Sequence, residues 1–399
     1  MSLSFYDQPL RAPTRLTDGT HRARSLEATW RAFSPLAARV GLTRLADVTG
    51  LDTLGIPVVS AIRPMGRSLS TQQGKGTTLL AARVSALMES IETWHAEHLV
   101  NPVRHATAEA LRRRAAIAPL ARLPRAPGAP RGAKLASRRL AWVEGFELVR
   151  ARPIWVPREA VTLDCVLGRR APIFDLSSNG LASGNCLVEA IVHGLCEVIE
   201  RDAEARWRRA RGQRRLVLDS VRDPTCAELI ERFTRAGVRV VVWDLTSDVG
   251  VPVFGCTILE DPEQPAWRAL GVYQGYGCHL APEIALARAL TEAAQTRLTY
   301  IAGARDDFFP FDYERATDPE LLRAIWYELA EDPGEPVLFD ELPALASAEL
   351  GDDLELLVAR LGACGQRQVI VVDLSRAELG VPVVKVLVPG RACDVSRMG

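Results

Sequence analysis

Three stretches of the chain place acidic side chains along one face of a predicted helix. Between Ser183 and Asp202 the sequence SGNCLVEAIVHGLCEVIERD predicts one helix, entered from a glycine-rich turn. At about 100° per residue, Glu189, Glu197 and Glu200 share one face and apolar side chains take the other. A solvated face is the alternative for this helix alone. Such a face usually mixes Lys with Glu four residues apart, because like charges repel there.

The same pattern returns in two further predicted helices. Each carries polar side chains at i, i+4 and i+7: Ser85, Glu89 and Glu92 within 81–98, and Arg288, Glu292 and Gln295 within 281–301. Carboxylates brought together out of water need compensating positive charge. Mg²⁺ held by a few carboxylates together with phosphate oxygens supplies it in many proteins. We therefore predict a Mg²⁺-nucleotide site where the three helices converge.

Three long blocks of sequence carry a resemblance to a known family. They are GKGTT at 74–78 with ARVSALMESIE at 82–92, SNGLASGN-x3-EA-x3-GL-x-EVIER at 178–201, and RALTEAAQTR at 288–297. In this order they resemble the signature blocks of YcaO-domain proteins. The resemblance implies an α/β (α+β) fold in which repeated α/β units bring sheets and helices together at an ATP site without a Walker motif. It also implies a single catalytic domain over 1–399 that uses ATP to phosphorylate a backbone amide oxygen of a peptide.

The resemblance further implies roles for individual residues. The implied metal ligands are Glu89, Glu92, Glu197, Glu200, Glu189 and Glu292. The implied or predicted ATP contacts are Arg22, Thr29, Ser70, Lys75, Asn185, Glu189, Arg201, Arg288 and Gln295. The predicted catalytic residues are Arg201, Arg288 and Glu292. The two arginines are included because a guanidinium can neutralise developing phosphoryl charge in a bidentate manner, and Glu292 because the resemblance implies a nucleotide or metal contact there. Arg297 lies on the opposite side of its helix, and His193 is the nearest candidate acid or base, although a lone His beside Glu is commonly structural.

Two of these ATP contacts have structural alternatives. Arg22 and Thr29 fit the family spacing, but an ordinary capped surface helix over 22–40 explains them equally well.

Gly74-Lys75-Gly76 suggests a phosphate loop. The Walker pattern G-x4-G-K-[ST] is excluded, because Leu69 stands at its first glycine and Gly76 follows the lysine. Lys75 and the N-terminal N–H groups of the next helix could still meet an anion.

Composition limits the function classes. The 399 residues carry no formal net charge, which does not favour a nucleic-acid partner. The eight cysteines include no C-x-x-C pair and are typical of reduced, buried thiols, so we expect a cytoplasmic protein. No stretch approaches transmembrane length, so no membrane association is expected. Residues 101–140 hold ten Lys or Arg against Glu109, and predict a peripheral basic insertion that is either solvated or a docking surface for an acidic peptide or partner.

Strand patterns recur around a Gly-x-Pro-Val element. Such units occupy 48–64, 240–258 and 369–389, and the last two each follow an amphipathic helix. They predict repeated units of a helix and two strands joined by a turn, through either duplication or a common tight connection. Residues 142–157 predict a hairpin, residues 203–215 a basic outward extension of the central helix, and residues 308–350 loops and surface helices.

The layout resembles YcaO proteins that work with a TfuA partner, through GTHR at 19–22 and LDTLGIPV at 51–58. For these the resemblance implies thioamide formation, in which sulfide replaces an ATP-activated amide oxygen of a precursor peptide or a protein. The chain ends VPGRACDVSRMG without a P-x-P-x-P tail, and we expect no fused leader-recognition domain; both disfavour ring formation. An azoline-forming cyclodehydratase and a non-catalytic nucleotide-binding scaffold remain the alternatives, and a homodimer is compatible with the sequence.

Overall fold

The computed structural model describes residues 3–17, 19–166, 171–209, 214–265, 267–331 and 334–391. Its helices are α1 (Leu26–Phe33), α2 (Leu79–Glu97), α3 (Ala108–Arg112), α4 (Gly132–Ala136), α5 (Leu187–Trp207), α6 (Pro224–Arg235), α7 (Pro282–Ala302), α8 (Pro310–Ala316), α9 (Pro319–Glu331) and α10 (Leu350–Ala363). Its strands are β1 (Ser4–Phe5), β2 (Gln8–Pro9), β3 (Arg15–Thr17), β4 (Thr20–Arg22), β5 (Arg44–Asp47), β6 (Val58–Ile62), β7 (Thr71–Lys75), β8 (Arg104–Thr107), β9 (Arg139–Glu147), β10 (Arg152–Pro157), β11 (Leu181–Ser183), β12 (Arg214–Leu216), β13 (Val238–Asp244), β14 (Val253–Glu260), β15 (Tyr273–Cys278), β16 (Glu335–Val337), β17 (Ile370–Asp373) and β18 (Val383–Leu387).

Three sheets carry the long helices. The strand orders are β5-β6-β7, β15-β14-β13-β12-β16 and β10-β9-β17-β18-β11, with β8 also pairing to β9. Each sheet includes three neighbouring antiparallel strands that lead to a long helix: β5-β6-β7, β13-β14-β15 and β17-β18-β11. The third strand of each run leads directly into a long helix, which is α2, α7 or α5 respectively. The predicted unit of a helix and two strands is present twice, as α6-β13-β14 and α10-β17-β18, whereas the stretch 48–64 contains only the strand β6.

Glycines let the acidic helices approach their strands closely. A side-chain carbon at Gly74 of β7 would collide with the backbone of α2 at Ala86. One at Gly275 or Gly277 of β15 would collide with the backbone of α7. On α5 the close approach is made by Gly194, which faces the Gly180 carbonyl. Because no Cβ separates the backbones at these positions, the three helices pack closely against their neighbouring strands and turns, which fixes the position of their polar faces.

The three acidic helices are confirmed, with shifted ends. The second predicted helix runs over Leu79–Glu97 and the third over Pro282–Ala302. The central helix begins at Leu187, because Ser183 belongs to β11, and it continues to Trp207. The hairpin predicted for 142–157 is also present, with β9 antiparallel to β10. In the described part of the chain, none of the helices is long and apolar enough to span a bilayer.

The single helix predicted over 22–40 is wrong. Arg22 instead ends β4, and α1 starts only after Ser25, whose Oγ accepts a hydrogen bond from Ala28 N–H at 3.2 Å. The helix ends at Phe33 because Pro35 has no N–H to continue the α-helical ladder. Short 3₁₀ turns then lead to Gly41, whose φ of 73° closes the segment.

The expected outward extension over 203–215 is also only partly helical. The central helix stops at Trp207, and 214–216 form β12 beside β13. Residues 210–213 lie outside the described residues, as do 392–399, on which the prediction about the tail rested. The segment 308–350 does contain the expected helices, and it also adds β16 to the five-stranded sheet.

The basic segment 101–140, predicted to be a peripheral insertion, is joined to the core along one side. Its residues 104–107 form β8, which pairs with β9 in register Thr107↔Arg139. Its leucines, including Leu111, Leu123 and Leu135, are buried in the same apolar cluster as α2 and the six-stranded sheet. The composition of this segment indicated its exposed, charged side chains, whereas its leucines pack on the opposite side against the core.

Candidate functional site

The polar face of α2 meets the strand that precedes α5. Glu92 Oε1 accepts hydrogen bonds from Ser183 N–H at 2.8 Å and from Ser183 Oγ at 2.6 Å. Ser183 ends β11, and the glycine-rich turn after it leads into α5 at Leu187. The Glu-x-x-Glu segment of α2 therefore lies beside the strand that leads into α5, the helix that carries the other Glu-x-x-Glu segment.

Four glutamates of α2 and α5 influence one another's ionisation. Burial raises the pKa of each to about 7, in Glu89, Glu92, Glu197 and Glu200 alike. The charge of Glu197 adds to the rise in pKa at Glu89, and the charge of Glu92 adds to the rise at Glu197. Such mutual repulsion requires proximity, so these carboxylates face one shared space with too little positive charge.

The third acidic helix contributes a carboxylate that is already paired. Glu292 of α7 forms an ion pair with Lys75 of β7, and the backbone N–H of Tyr276 donates to its Oε1 at 3.4 Å. Burial opposes its charge, but Lys75 and Arg201 outweigh that effect and lower the pKa of Glu292. Arg201 responds in turn: although its burial disfavours the charged form, Glu200, Glu292 and other carboxylates raise the pKa of Arg201. Carboxylates and cations of β7, α5 and α7 thus form one network.

A second group of residues is organised by Glu189. The Ala23 N–H donates to Glu189 Oε2 at 2.8 Å, Asn185 Nδ2 donates at 3.2 Å, and Arg22 lies 3.4 Å away. Thr29 Oγ1 lies 2.8 Å from Asn185 Oδ1. Arg22, Thr29, Asn185 and Glu189, which were predicted from distant parts of the sequence, are therefore brought together. Because donors of the chain engage both oxygens of Glu189, a metal ion there would have to displace them.

A second guanidinium group, that of Arg288, lies close to Arg22, which is paired with Glu189. Burial lowers the pKa of Arg288, and the neighbouring charge of Arg22 lowers it further. Burial, followed by the charges of Arg22 and Arg288, also lowers the pKa of His193 well below its usual value. His193 is therefore neutral, and the paired arginines present positive charge that a phosphate group would relieve.

Ser70 and Gln295 lie at the edge of the site and Arg297 lies outside it. The Ser70 N–H donates to Asp306 Oδ2 at 3.0 Å, and Gln295 Nε2 donates to the Gln73 carbonyl at 3.4 Å. Arg297 is fully buried and pairs with Asp52 at 2.8 Å and Glu260 at 2.7 Å. The helical-wheel placement of Arg297 away from the acidic face is confirmed.

The structure adds residues to which the sequence argument gave no firm role. Arg305, in the turn after α7, is close enough to lower the pKa of Glu89. Lys385 of β18 acts in the same way on Glu197. Lys385 belongs to a Gly-x-Pro-Val unit that also occurs in the other two sheets, and a lysine inside such an apolar run is the signal that could have identified it.

The donor set fits a hard divalent cation. Mg²⁺ prefers oxygen ligands and commonly uses one or two carboxylates together with phosphate oxygens and water. Although cations lie near them, carboxylates whose pKa is still raised to about 7 are short of positive charge, which such an ion would supply. Among the residues that the structure describes, no three His, Cys, Asp or Glu side chains already form a compact ligand cluster. Carboxylates on separate helices suit an ion that arrives with a nucleotide.

Comparisons with known proteins agree with this geometry. Residues 73–392 match the family model described as YcaO cyclodehydratase, ATP- and Mg²⁺-binding. A protein of Rhizobium leguminosarum bv. trifolii, uncharacterised and located in the tfuA 3′ region, is 38% identical over 97% of this chain and 92% of its own length. An uncharacterised protein of Methanothermobacter thermautotrophicus is 36% identical over 93% of this chain and 96% of its own.

Solved structures share the fold. YcaO from Methanopyrus kandleri, bound with AMPPCP and Mg²⁺, superposes with a TM-score of 0.76 at 28% identity over 96% of each chain. A heterocyclase in complex with substrate and cofactor gives a TM-score of 0.81 at 24% identity, over 98% of this chain and 55% of that one. The predicted fold class and the predicted cofactors, ATP and Mg²⁺, are confirmed. From the matched blocks and the relatives together, the chain belongs to the YcaO family.

Proposed function

We propose that this protein uses ATP and Mg²⁺ to activate a backbone amide of a peptide or protein, and that a TfuA-like partner and a sulfide source complete the formation of a thioamide. The observation that carries the proposal is the convergence of Glu89, Glu92, Glu197 and Glu200 with the cations of neighbouring elements. The relative in the tfuA 3′ region supports the choice of partner.

Each part of the site has a role in this proposal. Bound Mg²⁺ would neutralise phosphate charge, and Glu89, Glu92, Glu197 and Glu200 would hold it. Arg22 and Arg288 would receive phosphate oxygens, while Glu189 and Asn185 keep Arg22 in place. Lys75 and Glu292 form a pair whose partners can exchange when a nucleotide enters. Phosphoryl transfer asks a protein mainly for positioning and charge neutralisation, which is what these residues offer.

The reaction balances without a redox partner. The amide oxygen attacks the γ-phosphorus of ATP, the bond to the β-phosphate oxygen breaks, and ADP leaves. Hydrosulfide then adds to the amide carbon, the carbon–oxygen bond breaks, and inorganic phosphate departs with the original oxygen. Arg201, which lies among Glu200, Glu292 and Glu204, would stabilise the charge that develops on the transferred group.

The test is reconstitution with a precursor peptide, a TfuA-like protein, Mg²⁺-ATP and sulfide, followed by mass spectrometry. The expected product has one oxygen replaced by sulfur, and its formation releases phosphate in equal amount. Loss of one water without sulfur uptake would instead assign azoline formation. Mg²⁺-ATP binding with no change in the peptide would leave only a scaffold and would overturn the proposal.

A further inference from the structure

One segment of the chain concentrates positive charge. Residues 101–140 hold ten Lys or Arg and a single acid, Glu109, in a chain whose formal net charge is zero. Nine of the ten side chains are exposed, and we call them the basic surface: Arg104, Arg112, Arg113, Arg114, Arg122, Arg131, Lys134, Arg138 and Arg139. The excess must be balanced by acidic residues elsewhere on the molecule, so the charge is separated by region.

The cations of the basic surface are not neutralised by carboxylates that the structure describes. No ion pair joins any of the nine to a described Asp or Glu within 4.0 Å. Arg122 donates to the neutral amide of Gln366 at 2.8 Å, and Arg104 lies over the Trp155 ring at 4.6 Å. Nearby arginines behave differently, since Arg150 and Arg152 both pair with the buried Glu147.

The basic surface stands on a fixed frame. β8 is hydrogen-bonded to β9, and Trp142 Nε1 donates to the Ala106 carbonyl at 3.0 Å. Thr107 caps α3, while Leu111 and Leu135 anchor α3 and α4 in the core. Cations mounted on a packed frame lose little additional backbone entropy when a ligand binds, so the surface is prepared for a partner.

We propose that the basic surface docks an acidic stretch of the polypeptide substrate. Exposed cations without internal partners select a polyanion. Val100 and Val103, which are 59% and 44% exposed beside Arg104, add apolar contacts that suit a polypeptide better than a sugar–phosphate backbone. The identity of the occupant rests on the proposed function, in which the substrate is a peptide or protein.

The distance to the glutamates is compatible with one bound chain. Five helical residues separate Glu92 from Glu97, and about seven more lead to Arg104, so the direct span is at most about 30 Å. Roughly ten residues of extended peptide cover that distance. An acidic stretch docked on the basic surface would therefore keep a nearby backbone amide within reach of the ATP site.

Charge reversal tests this inference better than deletion, because deletion would remove the buried leucines. The triple variant Arg112→Glu, Arg113→Glu, Arg114→Glu changes exposed residues of α3 and the turn after it. The matched control, Arg44→Glu, Arg235→Glu, Arg323→Glu, makes the same charge change elsewhere. The probes are a fluorescein-labelled peptide rich in Asp and Glu, its amide counterpart rich in Asn and Gln, and a single-stranded oligonucleotide. The readouts are fluorescence anisotropy, Mg²⁺-ATP binding and thermal melting.

We expect the acidic peptide to bind the unaltered protein, more weakly as salt rises, and at least about tenfold more weakly to the triple variant than to the control. Equal affinity for the amide peptide, equal weakening in the control, or preferential binding of the oligonucleotide would overturn the inference. Mg²⁺-ATP binding is expected to be unchanged in both variants. Loss of nucleotide binding by the unaltered protein, with peptide docking intact, would count against the proposed function and leave the docking surface standing.

Discussion

The glutamate site and the basic surface hold charge in opposite ways. In the glutamate site, carboxylates on separate helices are crowded together, and burial raises the pKa of Glu89 and Glu197 to about 7. On the basic surface, cations such as Arg112 and Arg113 are also neighbours, but their side chains are exposed to water. Like charges that are close together and out of water are stabilised by a ligand of opposite charge. Like charges that are close together in water repel one another only weakly, and together they attract oppositely charged ligands over a long range. The first arrangement suits chemistry and the second suits capture.

The largest expected effect comes from removing one carboxylate of the site. Glu197→Gln should reduce product formation by about hundredfold to thousandfold, because the proposed Mg²⁺-nucleotide site would lose a ligand. The thermal stability of the nucleotide-free protein should not fall, since a neutral amide replaces a carboxylate whose burial disfavours its charge. Product is measured by mass spectrometry and stability by melting. Glu228→Gln, at an exposed surface pair on α6, is the control, and turnover retained in Glu197→Gln would contradict the assignment.

A smaller effect is expected from the cation that links two of the units. Lys75→Met removes the partner of Glu292, so the pKa of Glu292 should rise and Mg²⁺-ATP should bind about tenfold more weakly. Isothermal titration measures the affinity. Lys134→Met on the basic surface makes the same chemical change at a lysine that pairs with none of the described carboxylates, and its affinity should match that of the unaltered protein. Similar losses in both variants would show that only overall charge matters.

The pH dependence of stability should separate the two regions further. In the folded protein without ligand, Glu89, Glu92, Glu197 and Glu200 have pKa values of about 7, against 4.5 for an unperturbed Glu. The folded state therefore binds more protons, and the stability associated with them is lost as the pH rises through about 7. The melting temperature without ligand should be lower at about pH 8 than at about pH 6, and Mg²⁺-nucleotide should raise it more at the higher pH. A melting temperature that is independent of pH over this range would contradict the crowding.

The smallest effect is expected on the basic surface. Arg113→Ala should change the free energy of unfolding by no more than about 0.5 kcal/mol, because the side chain is exposed and pairs with no described carboxylate. Denaturant titration measures it, with Arg235→Ala on α6 as an exposed control. A loss well above that of the control would mean that the basic surface has a structural role.

Helical periodicity was sufficient to identify the acidic faces. Glu89, Glu197 and Glu292 were placed correctly because each lies on a long helix whose apolar side is unambiguous. The ion pair between Lys75 and Glu292 could not be predicted, because it joins residues far apart in the chain whose meeting depends on sheet packing. Both ends of the helix predicted over 22–40 were wrong, because Ser25 caps the start of α1 and Pro35 prevents the α-helix from continuing beyond Phe33.

The basic segment shows the opposite difficulty. Its charges were correctly noted, but irregularly spaced leucines such as Leu111, Leu123 and Leu135 gave no periodic signal of burial. Pairing of β8 with β9 was hidden for the same reason, because a four-residue strand of mixed polarity has no distinctive pattern. Composition thus identified the chemistry of this surface, and only the three-dimensional structure located it.

In the six-stranded sheet, β11 lies beside strands that come much later in the chain, and this has a consequence for synthesis on the ribosome. β11 and α5 emerge early, but their neighbours β17 and β18 are translated long afterwards. In a nascent chain β11 therefore has not yet paired with β18, and Glu197 still lacks the nearby Lys385. The positive charge of Lys385 reaches the glutamate site only once β18 has been made, so ribosome-bound fragments that stop before β17 are expected to bind Mg²⁺-ATP more weakly than the full chain.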